Sequence, residues 1–202
     1  MRDKRIRLIA EIGLAVALAI ALNALFSMVL PFRMPFGGSF FSLIMLPIVL
    51  IALMRGPLAG ITTGVLVGFS DLMFDPFVIS IPQMLLDYPI AYGLVGLAGL
   101  FALNPDKRAK GALFATSRLA PSLRKMILFA VLGTVVGGLA RLAAHVLSGV
   151  IFFAQYAPEA QNVWVYSVAY NATFMTPNII VTTICAAIAF PLVRKVITAQ
   201  QA

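Results

Sequence analysis

The sequence has few charged residues, one cysteine and one histidine, and each scarcity excludes a class of protein. Charged residues make up 11% of its 202 residues and hydrophobic residues 61%. A soluble domain averages about 25% charged and roughly 45–50% apolar residues. Cys185 has no second cysteine for an intrachain disulfide or a cysteine-based metal site. His145 is the sole histidine, which excludes a histidine-rich metal site. The composition therefore predicts an integral membrane protein.

A transmembrane helix needs ~20 mostly apolar residues. The chain contains six apolar segments, at residues 6–30, 40–54, 58–74, 82–103, 123–153 and 164–196. We therefore predict an all-α membrane protein, a bundle of about six transmembrane helices, in a single domain over residues 1–202. The first segment is too long for a signal peptide and no clear cleavage site follows it, so we expect a retained helix.

The breaks between segments are marked by proline, glycine and basic residues. Arg55, Gly56 and Pro57 form a tight turn, with Pro57 suited to an early helix position. Residues 104–121 are polar and basic and form the longest internal loop. The segments show no convincing internal repeat, so an inverted-repeat transporter is not supported.

The net charge of +8 would suggest nucleic acid in a soluble protein, but here membrane topology explains it better. With the N-terminus in the cytoplasm and six helices, most basic residues fall on the cytoplasmic side: Arg2, Lys4, Arg5, Arg7, Arg55, Lys107, Arg108, Lys110, Arg118, Arg124, Lys125, Arg194 and Lys195. The outer loops hold Arg33, Asp71, Asp75 and Glu159. We therefore expect both termini in the cytoplasm, contact with membrane lipid, and no nucleic-acid partner.

Asp87, Arg141 and His145 lie inside the apolar segments, where burial costs several kcal/mol unless they are partnered. Asp87 lies in the fourth segment, and Arg141 and His145 lie four residues apart in the fifth, on one helix face. Asp87 could pair with Arg141 as a structural salt bridge, and His145 could be a satisfied histidine of the bundle. The alternative is a functional site.

The outer end of the sixth segment contains Tyr166, Tyr170 and Asn171. Their predicted depth in the membrane is the same as that of Asp87 and His145. That common depth predicts one pocket open to the exterior. A carboxylate with tyrosine and phenylalanine rings suits a small cationic aromatic ligand, because each cation–π contact contributes ~0.5–2 kcal/mol. Asn171 could form hydrogen bonds with the edge of a heteroaromatic ring, since its side chain has both a donor and an acceptor. It could instead join two helices. Three tyrosines could instead form an interfacial aromatic belt: Tyr88, Tyr92 and Tyr166.

Four motifs, in the same order and spacing, resemble the thiamine-specific S components of energy-coupling factor (ECF) transporters, the ThiT/YuaJ type. They are GGSFFSLIMLPIVLIALMRGPLAG at 37–60, QMLLDYPIAYGLVGLAGLF at 83–101, HVLSGVIFFAQYAPE at 145–159 and VYSVAYN at 165–171. The resemblance implies a six-helix subunit of the prokaryotic cell membrane that binds thiamine from outside. It further implies no cofactor of its own, and partners comprising a transmembrane coupling subunit and two ATPases that use ATP. The absence of a GxxxxGK[ST] loop agrees with an energy source on another chain.

The resemblance also implies roles for single residues. The expected ligand-binding positions are Asp87, Tyr88, His145, Tyr166 and Asn171, with Arg141 and Tyr170 nearby. Gly13 and Ala17 match a small-residue motif for docking the coupling subunit. Ala15 and Ala19 form a second face of the same kind, and the alternative for these faces is ordinary packing inside the bundle.

The sequence departs from the family pattern at three aromatic positions. Phe153 stands where some members stack a tryptophan on the ligand, and Phe77 where they have a tyrosine, so the resemblance implies that both are also ligand-binding positions. Gly38 stands where an aromatic is expected. A thiamine precursor, thiamine phosphate or another vitamin therefore remains an alternative ligand. Two further alternatives are an interaction subunit without a ligand and a membrane-embedded enzyme with His145 and Asp87 as an acid–base pair, although a recognisable catalytic set is missing.

Overall fold

The computed structural model describes residues 2–30, 34–74, 76–103 and 122–199. Six helices lie in these ranges: α1 (Arg2–Val29), α2 (Met45–Arg55), α3 (Pro57–Asp71), α4 (Ile81–Phe101), α5 (Leu123–Phe152) and α6 (Val163–Ala199). The prediction of an all-α bundle of about six helices is confirmed. Arg33, Asp75 and the basic loop of residues 104–121 lie outside the described residues.

Within the described ranges, four helices are long and apolar enough to cross a membrane, namely α1, α4, α5 and α6. The other two are shorter than the apolar segments that predicted them, with 11 residues in α2 and 15 in α3. At ~1.5 Å per residue, both are shorter than the ~30 Å hydrocarbon layer. For α2, the difference in length arises at its start. Gly37 and Gly38 have φ angles of 89° and 96°, and the chain turns there before it becomes helical at Met45.

The helix starts follow from local sequence. Gly56 has a φ of 91° and Pro57 is the first residue of α3, as predicted for this turn, because proline needs no N–H partner there. Three polar residues accept a backbone N–H at the start of a longer helix: Ser80 for α4, Ser122 for α5 and Asn162 for α6. Such caps satisfy N–H groups that lack a helical partner.

Helix α4 is irregular, and its irregularity places a predicted site residue. It contains a π-helical turn at Leu86–Ile90 and ends as a 3₁₀ helix at Gly96–Phe101. Pro89 lies inside the π turn and lacks the N–H that a regular α-helix would use. Asp87 lies in the same turn.

Three glycines of α3 let its backbone touch that of α4. Gly60, Gly64 and Gly68 are four residues apart, so they share one face. A Cβ on Gly68 would lie 2.6 Å from the carbonyl oxygen of Tyr88, and one on Gly60 would lie 2.9 Å from Gly96 Cα. A Cβ on Gly64 would overlap the carbonyl of Tyr92. The contact therefore requires glycine, and it fixes the part of α4 that carries Asp87.

Helix α1 packs through one small-residue face and exposes the other. Ala15 and Ala19 are buried, with 6% and 0% of their surface exposed, and Ala15 packs near Ile51 of α2. Gly13 and Ala17 are exposed, and a Cβ on Gly13 would have no atom within 4 Å. The two faces, equivalent in sequence, therefore have different surroundings.

Candidate ligand-binding site

One cavity of about 170 Å³ lies among α1, α3, α4, α5, α6 and the loops that precede α2 and α4. All nine residues that the sequence analysis placed in a binding site line it: Phe77, Asp87, Tyr88, Arg141, His145, Phe153, Tyr166, Tyr170 and Asn171. The structure thus brings these side chains together, and their role in binding a ligand stays a prediction.

Asp87 is held by three side chains. Its Oδ2 accepts hydrogen bonds from Gln83 Nε2 at 2.7 Å and from Ser148 Oγ at 2.6 Å, and His145 Nδ1 lies 2.9 Å from its Oδ1. Donors of this kind stabilise a carboxylate and fix its orientation. Gln83 and Ser148 were not predicted; the signal for Gln83 was its position one helical turn before Asp87.

The contacts of His145 define its tautomer. Arg141 Nε donates to His145 Nε2 at 3.3 Å, and arginine can only donate. Nε2 is therefore the acceptor, and Nδ1 carries the proton and donates a hydrogen bond to Asp87. The positions of these nitrogen and oxygen atoms thus define a neutral imidazole. The salt bridge between Asp87 and Arg141, kept open as an alternative, is not formed in this structure: the imidazole ring lies between them.

Arg141 is 8% exposed and stacks on a tyrosine. Its Cζ lies 3.9 Å from the ring centroid of Tyr92, a favourable cation–π arrangement. Tyr92 donates through its hydroxyl to Asp71 Oδ2 at 2.8 Å, and Asn23 of α1 donates to Asp71 Oδ1 at 2.8 Å. Two expectations are corrected. Tyr92 is buried and does not lie in an interfacial belt. Asp71 is the last residue of α3 and lines the cavity, so it does not lie in an outer loop.

Aromatic rings form a second part of the cavity surroundings, which we call the aromatic cluster: Phe36, Phe77, Phe153 and Tyr156. The ring centroid of Phe36 lies 4.3 Å from Tyr156, 6.0 Å from Phe77 and 6.3 Å from Phe153. Phe36 was not predicted, since the resemblance placed an aromatic near Gly38. A Cβ on Gly38 would lie 2.9 Å from the Phe174 ring, so a side chain does not fit there, and Phe36 supplies the ring.

Two predicted tyrosines hold the loops that close the cavity. The hydroxyl of Tyr88 accepts from the backbone N–H of Phe77 at 2.9 Å. The hydroxyl of Tyr170 accepts from the N–H of Phe36 at 2.9 Å and donates to the carbonyl of Gly37 at 3.3 Å. These bonds fix the backbone that carries Phe36 and Phe77.

Asn171 joins α5 and α6 through its amide nitrogen. Nδ2 donates to the carbonyl of Ser167 at 2.9 Å and to that of His145 at 3.3 Å. Its Oδ1 makes no hydrogen bond to another described residue, so a ligand donor can use it. Tyr166 lines the cavity beside Tyr170, with ring centroids 6.2 Å apart.

The fold and the cavity together define a class of protein. A bundle with four membrane-length helices encloses a cavity that combines a hydrogen-bonded carboxylate, a guanidinium and several aromatic rings. Concave sites that combine aromatic walls with convergent polar groups are typical of small-molecule binding. The protein is a multi-pass membrane protein with a cavity among its helices whose lining suits a small molecule.

The family described as "Thiamine transporter protein (Thia_YuaJ)" matches residues 9–198. The chain belongs to this family, which consists of transporters and not enzymes. Thiamine transporter ThiT of Bacillus subtilis is 35% identical over 202 residues, covering 100% of this chain and 99% of the relative. Thiamine transporter ThiT of Lacticaseibacillus paracasei is 33% identical over 131 residues, covering 63% of this chain and 61% of the relative.

A solved structure of ThiT from Listeria monocytogenes is similar to the whole fold. The two superpose with a TM-score of 0.72 at 26% identity, covering 95% of this chain and 97% of the other.

Proposed function

We propose that this chain is the thiamine-capturing S component of an ECF-type importer, which binds thiamine from outside and delivers it inward with a separate coupling subunit and two ATPases. The observation that carries the proposal is Asp87, a carboxylate held by Gln83, His145 and Ser148 on the wall of a cavity that also has aromatic rings.

Thiamine consists of a thiazolium cation and an aminopyrimidine, and the cavity offers complementary groups for each. Asp87 supplies negative charge for the cation or an acceptor for the exocyclic amine. Phe36, Phe77 and Phe153 supply ring faces for a flat cation. Asn171 Oδ1 is a second acceptor for an amine. Family membership and this combination support the same ligand.

The test is isothermal titration of the detergent-purified protein with thiamine and, separately, with its aminopyrimidine precursor and with riboflavin. We expect tight binding of thiamine alone. Asp87→Asn should weaken it by about 2–5 kcal/mol, the usual loss when one partner of a buried charged contact is removed. Asn171→Ala should weaken it less. Glu159→Gln is the matched control, because it removes an exposed carboxylate outside the cavity.

Three outcomes separate the alternatives. Loss of thiamine binding in Asp87→Asn but not in Glu159→Gln supports the proposal. Binding of riboflavin or a thiamine precursor, without thiamine, keeps the transporter class and replaces the ligand. Equal binding by the wild type and Asp87→Asn rejects the assignment of Asp87.

The proposed orientation has both termini in the cytoplasm, supported by basic residues such as Arg55, Arg124 and Arg194 on one side of the predicted topology. A Cys185→Ser variant offers a cysteine-free background. In intact cells, an impermeant maleimide should label a cysteine placed at Gln161 and not one placed at Lys195. The reverse pattern would reject the orientation.

The proposed docking surface is the exposed face of α1 around Gly13 and Ala17. Ile9, Leu14 and Leu18 on this helix are also exposed, by 70%, 72% and 47%. Small residues allow close approach of another transmembrane helix, so this face suits a helix of the coupling subunit.

A further inference from the structure

Arg141 is a buried cation on the cavity wall that forms no ion pair with a carboxylate among the described residues. It is 8% exposed and lines the cavity. In the described part of the chain, no carboxylate oxygen lies within 4.0 Å of its guanidinium nitrogens, because Asp87 is paired with His145 instead. A buried charge that lacks an ion partner is costly, so its presence here needs a reason.

The contacts that hold Arg141 use only part of its guanidinium. Nε donates to His145, and the flat face lies 3.9 Å from the Tyr92 ring centroid. Arginine has five N–H donors in a planar fork that matches the oxygens of a phosphate. The two contacts orient the side chain and leave other donors of this fork for a ligand.

His145 separates two groups of opposite charge. Its Nδ1 faces Asp87 and its Nε2 faces Arg141, and all three side chains line one cavity. A ligand in contact with both sides of this ring would need positive charge or an amine near Asp87 and an oxygen acceptor near Arg141.

We propose that Arg141 is a specificity-determining residue that donates hydrogen bonds to an oxygen of the ligand's alcohol arm. The oxygen is the hydroxyl of free thiamine or the phosphate of its ester, since both present the same acceptor chemistry. Tyr92 and Asp71 are positioning residues, because Asp71 fixes the ring on which Arg141 stacks. This inference rests on the proposed thiamine-class ligand.

The test is a comparison of Arg141→Gln with the wild type for three ligands. These are thiamine, thiamine phosphate and an analogue in which an ethyl group replaces the hydroxyethyl arm. We expect Kd to rise by at least about tenfold for a ligand whose oxygen contacts Arg141, since that charged hydrogen bond is lost. The ethyl analogue should change by less than about threefold, because it has no oxygen to lose.

The two oxygen sources are separated by the same data. A larger rise for thiamine phosphate than for thiamine assigns Arg141 to the phosphate, and a larger rise for thiamine assigns it to the hydroxyl. An equal rise for all three ligands overturns the inference, because Arg141 would then act by maintaining the structure of the site and not by contacting the oxygen. If the wild type binds none of them, the proposed function fails and the inference fails with it.

Two further variants keep the test decisive. Arg124→Gln removes an arginine from the exposed start of the same helix and should leave all three Kd values unchanged. Arg141→Lys keeps the charge without the planar fork, and it replaces Arg141→Gln if that variant does not fold. It should show the same order among the ligands with smaller changes, and the absence of any difference between oxygen-bearing and ethyl ligands would reject the proposal.

Discussion

Two stripes of small residues, spaced alike in sequence, have opposite surroundings. On α3, Gly60, Gly64 and Gly68 face the backbone of α4 so closely that an added Cβ would collide with it. On α1, the face with Gly13 and Ala17 is exposed, and a Cβ on Gly13 would meet no atom within 4 Å. The α3 stripe is used within the chain, whereas the α1 stripe is left open.

The comparison shows that spacing alone does not reveal what a small-residue stripe packs against. Such a stripe allows two helices to approach closely, but the second helix can belong to the same chain or to another. For α3 the partner is α4, which carries Asp87 and Tyr92. For α1 we propose the coupling subunit.

Among changes to the two stripes, the largest expected effect is loss of stability in Gly64→Ala. The new Cβ would overlap the carbonyl of Tyr92, and backbone cannot move aside as a flexible side chain can. Overpacking typically costs about 1–3 kcal/mol, and contact with backbone favours the upper end. Thermal unfolding in detergent measures the change. Gly13→Ala is the matched control and should not lower Tm, because its Cβ has free space.

The next effect is on assembly. A Gly13→Leu, Ala17→Leu double variant should keep its Tm and its thiamine affinity, yet lose co-purification with the coupling subunit and the ATPases by at least about tenfold, because close helix approach is blocked. Ala169→Leu, at an exposed position on α6, is the control. Undiminished co-purification would show that the open stripe is not the docking surface.

The fold was predictable because long apolar runs leave few alternatives to transmembrane helices. Hydropathy located all six helices, and Pro57 marked the start of α3. The close contact of α3 with α4 was not predicted, because a glycine stripe does not reveal its partner. The short α2 was missed because residues 40–44 are as apolar as the helix that follows them, and apolarity does not distinguish a buried loop from a span.

The charged part of the site was predictable for a related reason. Asp87, Arg141 and His145 are energetically unfavourable inside a membrane. Each of them therefore stands out in the sequence as an ionisable residue within an apolar segment. Phe36 was missed because an aromatic residue in an apolar chain is no exception. The pairing of Asp87 with His145 in preference to Arg141 depends on three-dimensional geometry that the spacing of residues does not contain.

A smaller effect should distinguish the two ends of the α3 stripe. Gly68 packs against Tyr88 and Pro89, beside Asp87, whereas Gly60 packs against Gly96 at the other end of α4. Gly68→Ala should therefore weaken thiamine binding by about tenfold, since a shift of the π turn misplaces the carboxylate. Gly60→Ala should lower Tm similarly with little change in Kd. Calorimetry and thermal unfolding on both variants test this, and equal Kd values would show that the stripe only stabilises the fold.

The smallest effect concerns how α1 is held at its packed face. Glu11 accepts from Arg55 Nε at 2.6 Å and Nη2 at 2.5 Å, and from Arg7 Nε at 3.0 Å. The glutamate and Arg55 side chains are 19% and 25% exposed, and pairs with this degree of solvent contact contribute about 0–1 kcal/mol.

Glu11→Gln should therefore lower Tm by at most about 2–4 °C for a chain of this size, less than Gly64→Ala. Arg55→Gln should lower Tm by no more than Glu11→Gln, because Glu11 then keeps its contact with Arg7. The double variant should lower Tm no further than Glu11→Gln alone, because both changes remove the same Glu11–Arg55 pair. A loss as large as that of Gly64→Ala would mean that charge fixes α1 to the bundle as firmly as glycine contacts fix α3 to α4. The α1 and α3 stripes would then still differ in what they contact. They would not differ in how strongly the helix that carries each stripe is held in the bundle.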